Sequence, residues 1–219
     1  VKESPRAIQT MQGFWKGLRL HLIRMGYEVT IDDLRSPFPK PRLDLMHGFR
    51  LNQEPLLTEF LTADYSGLLG APTRYGKTIL MINTLRAYTG LTTVVTAPGV
   101  DLVQQLYEAI KYFMPQREVK LIGGSSRVRY PSEDITVISM DSIDKADYGR
   151  TRLLLIDEPH AAVTNSRLPA LNAFQKARRL GYGATLTGRY DGRDALITGL
   201  IGPVIAERTY SEAVAEGAI

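Results

Sequence analysis

Two periodicities divide the chain. Near the N-terminus, Ile8, Met11, Trp15, Leu18, Leu22 and Met25 recur at helical spacing, which predicts an amphipathic helix. Gly26 can end it. Trp15 lies on the apolar stripe, so it reads as a core residue rather than a base-stacking one. GYEVTID, residues 26–32, then reads as a short strand. From about residue 47 the pattern alternates helix and strand. Strands are expected near 67–71, 92–97, 118–122, 135–139, 152–156 and 180–185. Helices are expected near 53–63, 77–88, 100–113 and 166–179. Several strand segments, such as TVVTA and RLLLI, are continuous apolar runs. Strands buried on both faces of a parallel sheet look like this. The expected fold is α/β: three layers around a mostly parallel sheet, with a small N-terminal α/β unit. A ligand site then belongs at the carboxyl ends of the strands.

The segment SPFPKPR, residues 36–42, holds three prolines within five residues. Such a run neither continues a helix nor donates to a sheet. It predicts a connector between an accessory unit, residues 1–46, and a main domain, residues 47–219. The first reads as a packing cap or a nucleic-acid-binding module.

Composition narrows the chemistry. The 219 residues contain no cysteine, so disulfides, thiolate zinc sites and cysteine nucleophiles are excluded. There is no apolar run of about 18 residues, so no transmembrane helix is expected. The N-terminus lacks a signal-peptide pattern, and a cytoplasmic location is expected. The net charge is +4. Residues 1–46 hold eight Lys/Arg and five Asp/Glu. A mildly basic chain suits a nucleic-acid partner, although many soluble proteins are this basic without one.

The strongest local signal is GLLGAPTRYGKTIL. Ala71-Pro72-Thr73-Arg74-Tyr75-Gly76-Lys77-Thr78 fits the P-loop pattern when alanine is allowed at its first position. A loop between strand and helix turns backbone N–H groups onto phosphate oxygens. Gly76 permits close approach, Lys77 reaches the β- and γ-phosphates, and the Thr78 hydroxyl binds Mg2+. The second signal is RLLLIDEPH, residues 152–160. Its apolar strand ends in Asp157, suited to hold Mg2+, and Glu158, suited to orient the attacking water and take its proton. Pro159 fits just inside a helix start.

These motifs, in this order, resemble the first RecA-like motor domain of superfamily 2 DExH-type helicases and translocases, over roughly residues 47–219. APTRYGKT resembles motif I, and DEPH resembles motif II. PGVDLVQQ from Pro98 is similar to motif Ia, Gly123-Gly124 to the glycine pair that follows, ITVISMDSI to the strand and turn of motif Ib or Ic, and Gly183-Ala184-Thr185 to motif III. Phe49-Arg50-Leu51-Asn52-Gln53 resembles the adenine site upstream of motif I.

The resemblance implies ATP and Mg2+ as cofactors, with Lys77, Asp157 and Glu158 catalytic. Thr78 and Asp157 would hold the metal, and Arg50, Gln53 and residues 72–78 the nucleotide. His160, Gly183, Ala184 and Thr185 would couple nucleotide state to the second domain. Pro98, Gly99, Gln105, Gly124, Ser139 and Ser142 would meet a sugar-phosphate backbone without reading bases. Arg127, Arg129 and Tyr130 form a basic, aromatic loop that reads as a solvated loop or as further contacts. Arg189 and Arg193 follow motif III and point to nucleic acid or the second domain.

Two positions depart from the pattern: Arg74 stands where many relatives have glycine, and Gly183 where they have a hydroxyl residue. In the family the stretch after motif III leads to a second motor domain bearing an arginine finger, worth roughly 10³–10⁵ in turnover. The chain alone is therefore expected to bind ATP weakly and hydrolyse it very slowly. The implied function is the ATP-binding half of a nucleic-acid motor, with DNA the expected track and a phage or bacterial origin. The alternatives are an assembly module whose ATP site regulates conformation, or the motor part of a restriction or packaging enzyme.

Overall fold

A computed structural model describes residues 2–4, 7–32, 37–50, 52–122, 135–186 and 193–219. Two short strands, β1 (Lys2–Ser4) and β2 (Ala7–Gln9), pair antiparallel. A 3-10 turn, Gln12–Phe14, leads into α1, Trp15–Arg24. Gly26 ends this helix at φ 87°. Its N–H reaches Ile23 O and that of Tyr27 reaches Leu22 O, the Schellman pattern.

The main body alternates as expected. Its elements are α2 (Gln53–Thr62), β3 (Gly67–Gly70), α3 (Lys77–Ala87), β4 (Thr93–Ala97), α4 (Val100–Phe113), β5 (Val119–Ile122), β6 (Ile135–Ser139), β7 (Leu153–Asp157), α5 (Arg167–Asn172), β8 (Arg178–Gly183), α6 (Asp194–Leu200), β9 (Val204–Glu207) and α7 (Tyr210–Ala215). Seven strands form one sheet in the order β5-β6-β4-β7-β8-β3-β9. Every pairing in it is parallel. All carboxyl ends therefore share one edge.

Alternate residues of each strand feed two cores. Leu69, Val95, Leu155 and Tyr182 pack beneath α2, α3 and α4. Leu68, Val94, Leu154 and Ile156 pack beneath α5 and α6. Burial of both faces is why these strands read as unbroken apolar runs.

Four expectations are corrected. Residues 27–32 form no strand; no described strand pairs with them, and the N-terminal pairing is made by β1 with β2. Ile8 belongs to β2 rather than to the helix. Trp15 is 37% exposed rather than buried. The helix expected over 166–179 ends at Asn172, and Arg178 and Arg179 already belong to β8. The reason lies in Arg179. Its guanidinium, fully buried, donates to Leu200 O at 2.7 Å, Asn172 O at 3.1 Å and Phe174 O at 3.2 Å. It caps the end of α5 from the neighbouring strand. Elements α6, β9 and α7 were not anticipated.

The proline-rich connector is extended from residue 37 and fastened to the sheet. Phe38 meets Tyr88 edge-on at 5.0 Å, Arg152 donates to Pro37 O at 2.9 Å, and Arg42 N–H donates to Ala87 O at 2.8 Å. The turn before α1 meets α6 at glycines. A Cβ on Gly13 would lie 1.8 Å from Thr198 O, and one on Gly199 would lie 2.6 Å from the Phe14 ring.

Candidate nucleotide site

The loop from β3 to α3 lies at the carboxyl edge of the sheet. Gly76 takes φ 92° and caps α3, whose first two residues are Lys77 and Thr78. Arg74 takes φ 71°. That left-handed conformation is natural to glycine and costs about 1 kcal/mol or more for other residues. It is a backbone reason for the glycine that the family resemblance leads one to expect there. Pro72 and Tyr75 are buried, Lys77 is half-buried, and Thr73, Arg74 and Thr78 are exposed.

Gln53 braces this loop from α2. It is 2% exposed. Its Oε1 accepts Arg50 N–H at 2.8 Å, and its Nε2 donates to Tyr75 O at 2.5 Å. A Cβ on Gly76 would lie 2.5 Å from Nε2, so Gly76 is needed for packing as well as for its dihedral. An amide has two donors and two acceptor lone pairs. One donor and one acceptor of Gln53 thus remain for a ligand. Beside it lies a cavity of about 450 Å³ lined by Arg50, Gln53, Arg74, Tyr75, Gly76 and Ile79, together with Gly217 and Ala218. The upstream motif and the glycine loop therefore converge on one space.

Asp157 ends β7, two strands from β3. Glu158 follows at φ 49°, ψ 63°, with its N–H on Tyr182 O at 2.8 Å. Pro159 opens a 3-10 turn, Pro159–Ala161. Lys77 Nζ lies 3.1 Å from Glu158 Oε1, and His160 Nδ1 lies 3.3 Å from Glu158 Oε2. The Asp157 carboxyl is pushed up to about 6, first by burial and then by the charge of Glu158, with Lys77 pulling the other way. Burial and the neighbouring carboxylate both disfavour its ionised form.

Gly183 closes β8, and a Cβ there would lie 3.0 Å from Pro159 Cδ and 2.8 Å from Leu186 Cδ2. The missing hydroxyl of the third motif is thus explained by Pro159 of DEPH packing on the bare backbone. Ala184 and Thr185 are exposed beyond it.

The backbone-contact candidates lie further along the same edge. Gly99 caps α4 at φ 83°, and Pro98 precedes it. Gln105 is exposed on α4, Ser139 closes β6, and Ser142 lies in the 3-10 segment Met140–Lys145. Arg193 donates to Val163 O at 3.0 Å. Gly123, Gly124, Arg127, Arg129, Tyr130 and Arg189 lie outside the described residues.

Sequence reasoning missed the tail. Arg208 N–H donates to Gly70 O at 2.9 Å, and the Arg208 Nε lies 3.3 Å from Glu216 Oε1, near a Tyr75 hydroxyl that makes no hydrogen bond. The one legible signal was Thr209-Tyr-Ser-Glu212, a capping box at the start of α7. Among the described residues no helix is long and apolar enough to cross a membrane.

A parallel seven-stranded sheet between helix layers, with a glycine loop and an acid pair meeting at its carboxyl edge, is the RecA-like motor domain of superfamily 2 helicases. More narrowly, the chain belongs to the type III restriction enzyme res-subunit family, whose model matches residues 46–188. Solved structures agree on the fold. The UvsW helicase of bacteriophage T4 aligns with TM-score 0.66 at 15% identity, over 90% of this chain and 78% of that one. The Hef helicase domain of Pyrococcus furiosus aligns at 0.59 and 19%, over 81% of this chain and 41% of that one. The SWI2/SNF2 ATPase core of Sulfolobus solfataricus, solved with dsDNA, aligns at 0.59 and 15%, over 76% and 38%. The chain thus spans less than half of the latter two. No curated protein sequence matches it.

Proposed function

We propose that the chain is the ATP-binding half of a nucleic-acid-dependent motor, a helicase or translocase acting on DNA. Mg-ATP hydrolysis would be coupled to strand movement together with a second RecA-like domain. The observation that carries this reading is the convergence of Lys77, Asp157 and Glu158 at one edge of the sheet, with Lys77 and Glu158 3.1 Å apart.

The residues fit the ligands. The loop at 72–78 ends in left-handed Gly76 at the start of α3, a helix N-terminus suited to phosphate. Lys77 would hold β- and γ-oxygens. Thr78 and Asp157 would hold Mg2+, and a bound cation would offset the burial and the Glu158 charge that push the Asp157 carboxyl up. The bound ion would neutralise charge on the transferred phosphoryl group. Glu158 would orient water and accept its proton. The spare donor and acceptor of Gln53 match the N6 and N7 edge of adenine, whereas guanine offers two acceptors there. His160, Gly183, Ala184 and Thr185 would relay nucleotide state. Pro98, Gly99, Gln105, Ser139 and Ser142 would touch the nucleic-acid backbone, with Gly124, Arg127 and Arg129 as further contacts. The dsDNA-bound SWI2/SNF2 core favours DNA.

The test is Mg-ADP binding, and ATP turnover with single-stranded DNA, duplex DNA or RNA, using Lys77→Ala and Glu158→Gln as controls. Lys77-dependent binding with turnover near background supports a half that needs a second domain's arginine. Brisk DNA-stimulated turnover would show that no second domain is required. Absence of nucleotide binding would overturn the whole reading. The family description also favours a second reading, the motor part of a restriction enzyme. A nuclease domain encoded in the full-length gene would establish that.

A further inference from the structure

The cavity beside Gln53 is also lined by a segment outside the helicase-like motifs. β9 runs parallel to β3, the strand that leads into the glycine loop. The chain then turns through the Thr209–Glu212 capping box into α7. The helix ends in a second Schellman turn. Gly217, at φ 71°, donates to Val214 O at 3.0 Å, and Ala218 donates to Ala213 O at 2.9 Å. That turn sets Gly217 and Ala218 on the cavity wall, with Ala218 also packed on the core.

The turn meets the loop at one residue. Tyr75 is 3% exposed, and its hydroxyl is buried without a hydrogen-bond partner, within electrostatic reach of Arg208. Arg208 Nε lies 3.3 Å from Glu216 Oε1, one residue before the turn. The Tyr75 carbonyl is the acceptor for Gln53 Nε2. Gln53 thus holds Tyr75 by its backbone, and the tail lies beside its side chain. Buried, partly satisfied polar clusters of this kind respond strongly to small displacements.

We propose that the last turn of α7 is a wall of a purine-base pocket, and that Arg208 and Glu216 are positioning residues that hold this wall in register with the glycine loop through Tyr75. The proposal rests on the nucleotide reading above. It assigns the base of a nucleoside diphosphate to the space between Gln53 and Ala218. The small residues at 217 and 218 leave room for a flat ring, and base contact and tail order become reciprocally linked.

The test compares Mg-ADP with Mg-pyrophosphate, which shares the two phosphates but has no base. The full chain is used throughout, with binding read by calorimetry. In Ala218→Trp the indole takes base volume, so ADP weakens by about tenfold or more while pyrophosphate keeps its affinity. Arg208→Ala shifts the ratio the same way, and Arg208→Lys recovers part of it. Retained pyrophosphate binding shows that each variant is folded. The proposal is overturned if both variants bind ADP like the wild type, if both ligands weaken equally, or if the wild type binds both ligands equally well. A wild type that binds neither ligand refutes the nucleotide reading itself.

Discussion

Gln53→Glu isolates the brace between α2 and the glycine loop. The side chain is 2% exposed, and its Nε2 donates to Tyr75 O at 2.5 Å. An ionised carboxylate has nothing to donate. It would orphan a buried carbonyl, at about 1–3 kcal/mol, and add the cost of a desolvated charge facing that carbonyl. A total near 3 kcal/mol at pH 7.5 is expected, within the range for a broken buried network. The sign with pH follows. Burial raises the introduced carboxyl's pKa, so the penalty is full above the raised value and fades below it. There the protonated acid donates to Tyr75 O as the amide did. At about 1.36 kcal/mol per pK unit, 3 kcal/mol corresponds to a rise of about two units, from about 4.3 to about 6.5. At pH 5 the loss should therefore shrink to about 1 kcal/mol. Urea unfolding of variant and wild type at pH 7.5 and 5.0 measures it, with an unchanged m-value as the condition for comparison. Equal losses at the two pH values, or none at pH 7.5, would refute the argument.

Two further changes test other parts of the structure. Asp157→Asn should stabilise the ligand-free protein at pH 8 and have a diminishing effect toward pH 4. The folded carboxyl is pushed up to about 6, so ionisation costs stability as pH rises through that value. Two units set a ceiling of about 3 kcal/mol, and partial exposure should reduce it to roughly 1–2 kcal/mol. Thermal melts across pH 4–8 would show it, and a pH-independent shift would count against it. Arg179→Met should cost about 3–5 kcal/mol, because it leaves the buried carbonyls of Leu200 and Phe174 without their donor. A loss under about 1 kcal/mol by urea unfolding would mean that the guanidinium is not what ends α5.

What the sequence made legible follows the physics of burial. β4, β6 and β7 are covered on both faces, so TVVTA, ITVIS and LLLID stand out as apolar runs. The chemistry of Lys77, Thr78, Asp157 and Glu158 was legible because phosphate and metal sites demand particular residue types at fixed spacing. β8 was misjudged at its start because Arg178 and Arg179 look like exposed helical residues. Arg178 is buried against Asp64 and Tyr88, and Arg179 against backbone carbonyls, and only tertiary structure supplies those partners. β9 was missed because it is a four-residue edge strand, exposed at Val204 and Glu207, with only three apolar residues in a row. The electrostatic proximity of Tyr75 to Arg208 and Glu216 joins residues more than 130 positions apart, beyond any local pattern.

On the proposed reading, the ion pair between Lys77 and Glu158 would impose an order of events. While the lysine holds the carboxylate, neither group is free for a ligand. An arriving nucleotide would have to win Lys77 by competition, and only then would Glu158 be released to act. Affinity in the resting state would be lowered, and activation of water would become conditional on occupancy. A single side-chain exchange would then serve as the safety catch of a nucleotide-driven domain.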